Sequence, residues 1–124
     1  MIIDHIRDLK EFQDFFYQYQ MPESERFDFL WVVNNPNLFC LYDETTKELK
    51  AYIVIAKEDD KLYLSGASCR KNYPDNIQAI IKICNAFDCD IYSYTKLKHA
   101  GLLLKKAGFK KISDYEYIRT KQNG

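Results

Sequence analysis

Residues 95–109 read TKLKHAGLLLKKAGF, and they decide the fold. Apolar and basic residues alternate over about three helical turns and then stop at Gly108-Phe109. Lys105 and Lys106 fall in the last turn, where positive charge meets carbonyls left without an intrahelical partner. Gly108 is placed to take the left-handed conformation that closes a helix, and Phe109 begins an extended run by entering the core. The pattern predicts a helix that docks at its C-terminal end.

Working outward, DIYSY just before it is β-branched and aromatic and predicts a strand. FKKISDYEYIRT after it predicts one or two more. Upstream, NIQAIIKICNAF places Ile77, Ile80, Ile81 and Cys84 on one helical face, with Asp75 or Asn76 as the expected N-cap. Between residues 37 and 68, NLFCLYDE, LKAYIVIAK and LYLSGAS are separated by the turns ETTKE and EDDK, an antiparallel meander. In the middle strand Ala51, Ile53 and Ile55 face one way and Tyr52, Val54 and Ala56 the other. Both sets are apolar, so helices are expected on both faces.

At the N-terminus, Ile2–Ile3 reads as a short strand. Leu9, Phe12, Phe16 and Tyr19 then make an apolar stripe on a helix starting near Asp8. Met21-Pro22 ends it, Pro22 suits the first turn of a second helix, and PESERFDFLWVV is expected to bury Phe27, Leu30 and Trp31. The predicted order is β-α-α-β-β-β-α-β-α-β in a single domain over residues 1–124, without repeats or linkers.

Apolar residues make up 47% of the chain and aromatic residues 15%, enough to build a core rather than a disordered chain. No apolar run reaches the roughly 18 residues of a membrane span, and Asp4 and Asp8 interrupt the start, so a soluble, intracellular protein with no membrane association is expected. Cys40, Cys69, Cys84 and Cys89 include no C-x-x-C pair and lie far from His5 and His99, which favours reduced core thiols over a metal site or disulfides. Cys69, beside Arg70 and Lys71, is the best-placed thiol for reactivity. Residues 1–60 hold six Lys/Arg against thirteen Asp/Glu, a net −7, and residues 61–124 hold twelve against five, a net +7. Lys96, Lys98, Lys105, Lys106, Lys110, Lys111, Arg119 and Lys121 crowd the last thirty residues among Tyr94, Tyr115 and Tyr117, a composition that suits phosphates and bases. The pI near 6.7 argues against strong non-specific binding.

The element order, and above all the strand DIYSY, the helix LKHAGLLLKKA and the closing Gly108-Phe109, resemble the GNAT superfamily of acetyl-CoA-dependent N-acetyltransferases. The family's helix usually reads N-x-x-A-x-x-x-Y-x-x-x-G-F, and Ala100, Gly108 and Phe109 fall in register. The resemblance implies an α+β, three-layer α/β/α fold with a mixed, mostly antiparallel sheet. It also implies acetyl-CoA between the strand ending near Ala67 and the one near Tyr94, with Ala67, Cys69, Arg70, Asn76 and Ile77 as candidate cofactor contacts.

The chemistry departs from the family. The tyrosine that would protonate the departing CoA thiolate is Leu104, and the helix-opening asparagine is Leu97; leucine has neither a proton nor a hydrogen bond to give. Tyr94, or Tyr92, is the candidate substitute. The glycine-bearing pyrophosphate loop is replaced by Asn72, Tyr73, Pro74, Asp75, Asn76 and Ile77. Pro74 removes an amide and Asp75 opposes an anion. The expectation is therefore a degenerate GNAT-like binding or structural module, with a protein partner and no cofactor. It is similar to the GNAT-like internal virion proteins of short-tailed phages, and lies in the cytoplasm or a phage particle. The alternatives are an acetyl-CoA-dependent N-acetyltransferase with an atypical loop, and a nucleic-acid-binding module using the basic C-terminal third.

Overall fold

In a computed structural model of the chain, residues 1–20, 27–69 and 71–122 are described. The expected order holds, with two strands at the end: β1 (Ile2–Asp4), α1 (Leu9–Gln18), α2 (Phe29–Val33), β2 (Leu38–Tyr42), β3 (Leu49–Glu58), β4 (Lys61–Ser68), α3 (Tyr73–Asn85), β5 (Ile91–Tyr94), α4 (Lys98–Lys106), β6 (Lys110–Lys111) and β7 (Glu116–Arg119). The strands form one sheet in the order β1-β2-β3-β4-β5-β7-β6. Only β4 and β5 pair in parallel; every other pair is antiparallel.

The period-2 reading of β3 is realised across two separate cores. On one face Ala51, Ile53 and Ile55 pack with Leu64, Ile80, Ile83, Ile91 and Leu104, under α3 and α4. On the other, Tyr52 and Val54 pack with Phe12, Phe15, Phe16 and Val32, under α1 and α2. Apolar surface removed from water contributes about 25 cal/mol per Å2, so a central strand buried on both sides anchors both helix layers. The β3–β4 turn places Asp59 and Asp60 at φ 49° and 65°. Positive φ at both central residues is the turn geometry whose twist matches that of the flanking strands.

Helix ends follow local chemistry. Asp8 caps α1 by accepting from the Glu11 amide at 3.0 Å, and Asp28 caps α2 by accepting from the amides of Leu30 and Trp31. Helix α4 ends in a full double cap: the Phe109 amide donates to the Leu104 carbonyl at 3.0 Å and the Gly108 amide to the Lys105 carbonyl at 3.1 Å. Gly108 sits at φ 96°, and Phe109 is buried.

Two expectations are corrected. Leu30 and Trp31 are not buried but 64% and 44% exposed. In a helix of five residues Val32 alone turns fully inward, while Phe27 and Phe29 pack at the core's edge. The N-cap of α3 is Asn72, three or four residues before the expected Asp75 or Asn76. Proline is tolerated in a first turn because its missing amide would be unpaired there, so Pro74 lies inside the helix. The expected helix end at Met21-Pro22 and the role of Arg70 lie outside the described residues.

Candidate functional site

The site begins where the parallel pair comes apart. Strands β4 and β5 pair at Leu62↔Ile91, Tyr63↔Tyr92 and Leu64↔Ser93. Strand β4 then runs on through Ser68, whereas β5 stays with β7 through Tyr94↔Glu116. Two hydroxyl residues fix the parting. Ser93 Oγ donates to the Leu64 carbonyl at 2.8 Å, closing the last shared step. The buried Thr95 sends its amide to the Tyr115 carbonyl at 2.9 Å and accepts from the Leu97 amide on its own hydroxyl at 3.0 Å. That turns the chain into α4 and away from β4.

A cleft of about 1470 Å3 opens in the gap, lined among others by Gly66, Ala67, Cys69, Asn76, Tyr94 and Leu104. Gly66 is required where it stands, because a Cβ there would run into the Tyr52 carbonyl oxygen.

The two lips differ in chemistry. On the β4–α3 lip, Asn72 Nδ2 donates to Asn76 Oδ1 at 2.7 Å, and Asn76 Nδ2 donates to Ser68 Oγ at 2.8 Å. Ser68 Oγ in turn donates to the Cys69 carbonyl at 2.8 Å. Asn76 is buried, so this chain supplies the partners that a buried amide needs. It also spends Asn72 and Asn76 on structure: no side chain caps the first amides of α3. Pro74 contributes none, and the exposed Asp75 sets a carboxylate beside them.

The β5–α4 lip is apolar. Leu97 is the N-cap of α4 and makes no side-chain cap bond. Leu104, where the resemblance puts the tyrosine, is 4% exposed and belongs to the α3/α4 core. Gly101 lets the lip close onto β7, since a Cβ there would meet the Tyr117 hydroxyl. Buried Arg119 ties the lip down from below, with Nε donating to the Ala107 carbonyl at 3.2 Å and its terminal nitrogen to Asn85 Oδ1 at 2.7 Å.

Of the residues singled out in the sequence, Ala67, Cys69, Asn76, Tyr94 and Leu104 come together around the cleft. Ile77 instead packs against the α3/α4 core and does not line the cleft. Tyr94 is 46% exposed, its ring edge-on to Tyr115 at 6.0 Å. Sequence reasoning missed Tyr73 and His99, which also line the cleft with ring centroids 6.4 Å apart. The signal available for them was weak: a tyrosine just before the α3 proline, and a histidine two residues into a helix. It also missed Ser68, whose polarity at the end of an apolar strand marks the lip.

Among the described residues no group of three or more His, Cys, Asp or Glu is placed to hold a metal, and no helix is long and apolar enough to cross a membrane. The buried thiols lie in the cores away from the cleft, where burial pushes Cys40 up to about 12 and Cys84 up to about 11.

The chain superposes over 99% of its length on 96% of the ribosomal-protein-S18-alanine N-acetyltransferase from Escherichia coli, with a TM-score of 0.62 and 10% identity. It superposes over 98% of its length on 99% of a protein assigned as a phosphinothricin N-acetyltransferase, with a TM-score of 0.64 and 13% identity. This is the GNAT fold. No protein-family model matches the chain, and no curated protein matches it in sequence. At 10–13% identity the likeness is one of fold.

Proposed function

We propose that the chain is a GNAT-fold binding or structural module that holds a partner without performing acetyl transfer. The observation that carries this reading is Leu104. The position expected to supply a proton to a leaving thiolate holds an alkyl side chain buried in the core, which cannot act as an acid. The opposite lip supports it. Its polar side chains bond one another, and the first turn of α3 adds a proline and a carboxylate where an anion would have to approach. On the resemblance to internal virion proteins, such a module works in the cytoplasm or within a phage particle, against a protein partner.

A second reading is favoured by one specific observation: the cleft between β4 and β5 is open and lies where the resemblance places acetyl-CoA. In that reading the protein is an N-acetyltransferase with an atypical loop, and of the two substitute tyrosines, Tyr92 and Tyr94, it is Tyr94 that lines the cleft. Loss of a general acid typically costs about a hundredfold to ten-thousandfold in rate, which leaves measurable turnover.

Thermal unfolding with acetyl-CoA separates the two. A ligand that binds only the folded state stabilises it by about 2.7 kcal/mol at a hundred times its dissociation constant, a shift of several degrees in a domain of this size. The module reading expects no shift at roughly millimolar acetyl-CoA. A clear upward shift, accompanied by release of free thiol when amines are supplied, establishes the enzyme in its place.

A further inference from the structure

The two helical layers carry opposite charge. On α1 and α2 with their caps, residues 8–20 and 27–34, Asp8, Glu11, Asp14 and Asp28 stand against Lys10 alone, a net −3. On α3 and α4 with their flanks, residues 71–86 and 97–108, Lys71, Lys82, Lys98, Lys105 and Lys106 stand against Asp75, a net +4. Residues 21–26 and 70, which lie outside the described ones, add Glu23, Glu25, Arg26 and Arg70 by sequence and leave both signs unchanged. One layer packs on each face of the sheet. The charge difference between the two halves of the sequence therefore becomes a difference between opposite faces of the molecule.

Each layer also leaves apolar side chains in water. Leu9, Tyr17, Leu30 and Trp31 are exposed on α1 and α2. Two of these rings are held in place, Tyr17 stacked on Phe29 at 5.8 Å and Trp31 on Phe27 at 5.5 Å, so a partner that covers them has little to order. On α4, Leu102 is exposed, with Lys98 one turn before it and Lys105 and Lys106 one turn after. Positions three and four apart share a helix face, so this leucine is bordered by three ammonium groups. Among the described residues Lys82, Lys98, Lys105 and Lys106 make no ion pair, whereas Lys10 on the acidic layer is taken by Asp14 at 3.4 Å.

We propose that the acidic α1/α2 layer of one copy docks on the basic α3/α4 layer of a second copy, head to tail. Apolar side chains meet at the centre and carboxylates meet ammonium groups around them, the apolar core and polar rim of a protein interface. Both complementary surfaces stand on this one chain, which commits the occupant to a second copy. Docking like on like would set lysine against lysine or carboxylate against carboxylate, and like-charge repulsion disfavours it. A contact between two different surfaces does not close within a pair, so copies add one after another into a ring or an open row. Leu30, Trp31, Leu102 and the α4 lysines do not line the cleft, so the failure of this inference and that of the module reading are separate results.

The test is sedimentation velocity of the full-length chain over a concentration series at about 0.1 M and about 1 M salt, between which the screening length falls from about 10 Å to about 3 Å. At low salt the mean mass should climb past that of a dimer as concentration rises, and at high salt the association should weaken. Two double variants then separate the faces. Lys98→Glu with Lys105→Glu alters only the basic layer, and Asp14→Lys with Leu30→Ser only the acidic one. All of these side chains are exposed, and an unchanged melting temperature verifies the fold. Each variant alone should stay monomeric. Mixed in equal amounts, they should form a one-to-one dimer and nothing larger, because one keeps the acidic face and the other the basic face. The proposal is overturned if the parent chain stays monomeric up to roughly millimolar concentration, where a dissociation constant of about 1 mM still registers. It is overturned equally if the parent stops at a dimer, if salt leaves its association unchanged, if either variant alone still associates, or if the mixture stays monomeric.

Discussion

The two faces of the sheet solve the same packing problem with different materials. The face under α3 and α4 is mainly aliphatic, Ala, Ile and Leu with Phe109 and Tyr117 at one side, fitted closely enough for Gly101 to rest against the Tyr117 hydroxyl. The face under α1 and α2 is aromatic: Phe12 packs against Phe16, Phe29 and Tyr52 at centroid distances of 5.3–6.4 Å. Aliphatic side chains interdigitate over a wide area, and that layer holds buried residues of five strands, β2, β3, β4, β5 and β7. Large rings fill volume quickly, so two short helices suffice over β2 and β3; among the described residues, Tyr63 and Tyr92 beyond them are half-buried and Tyr94 is exposed. The two layers thus differ both in material and in how much of the sheet they cover.

The strongest way to break the comparison is to empty each core once. Phe12→Ala should destabilise the protein by about 3–5 kcal/mol and Leu104→Ala by about 2–5 kcal/mol, read from urea midpoints. If Leu104→Ala costs well under 1 kcal/mol, that side chain is not packed as described, and the argument that its position is structural fails with it.

A smaller effect probes the close fit on the aliphatic face. Gly101→Ala gains about 1 kcal/mol of helix propensity but drives a methyl into the Tyr117 oxygen, and overpacking of this kind costs about 1–3 kcal/mol. The net effect should be destabilising in the parent and clearly smaller in a Tyr117→Phe background. Strict additivity of the two changes would show that the contact is not tight.

The smallest effect is set by pH. Burial is the leading cause that raises the Cys40 thiol to about 12 and the Cys84 thiol to about 11, from 9.0. It likewise raises the Tyr42 hydroxyl to about 12, from 10.0. Above pH 9 the unfolded thiols ionise while the folded ones keep their protons, so stability present below pH 9 is lost as pH rises toward 11 and 12. At about pH 10 each thiol should account for roughly 1.4 kcal/mol of the loss. Cys40→Ala should remove that share from the aromatic face and Cys84→Ala the share from the aliphatic one. A stability curve that stays flat between about pH 8 and pH 10 would contradict the burial of both.

Sequence legibility followed the same division. Helix α4 could be read almost residue by residue, because Gly108 and Phe109 are fixed by local backbone chemistry that needs no partner. Strand β3 could be read because a two-residue period over ten residues has one geometric meaning. Leu30 and Trp31 were misread because a five-residue helix is too short for periodicity to tell inside from outside. The α3 cap falls at Asn72, earlier than the pattern predicts, because a first turn accepts Pro74 without losing a paired amide. The parting of β4 from β5 was hidden altogether. It depends on which strands pair, and for how long, and on Thr95 bonding to Tyr115, a contact across twenty residues that no local pattern encodes. Tyr73 and His99 meet at the cleft for the same reason.

The shortness of the β4–β5 ladder has a consequence in time as well as space. Strands β2, β3 and β4 are joined by short hairpins and can pair as soon as they are synthesised, whereas β5 must wait for the whole of α3 and is then held to β4 by three residue pairs. Contacts between distant parts of a chain form late because loop closure precedes their reward, and regions with few pairings open at lower cost than the whole molecule. The C-terminal unit of β5, α4, β6 and β7 therefore joins the β2–β3–β4 meander late, along the seam that the cleft occupies.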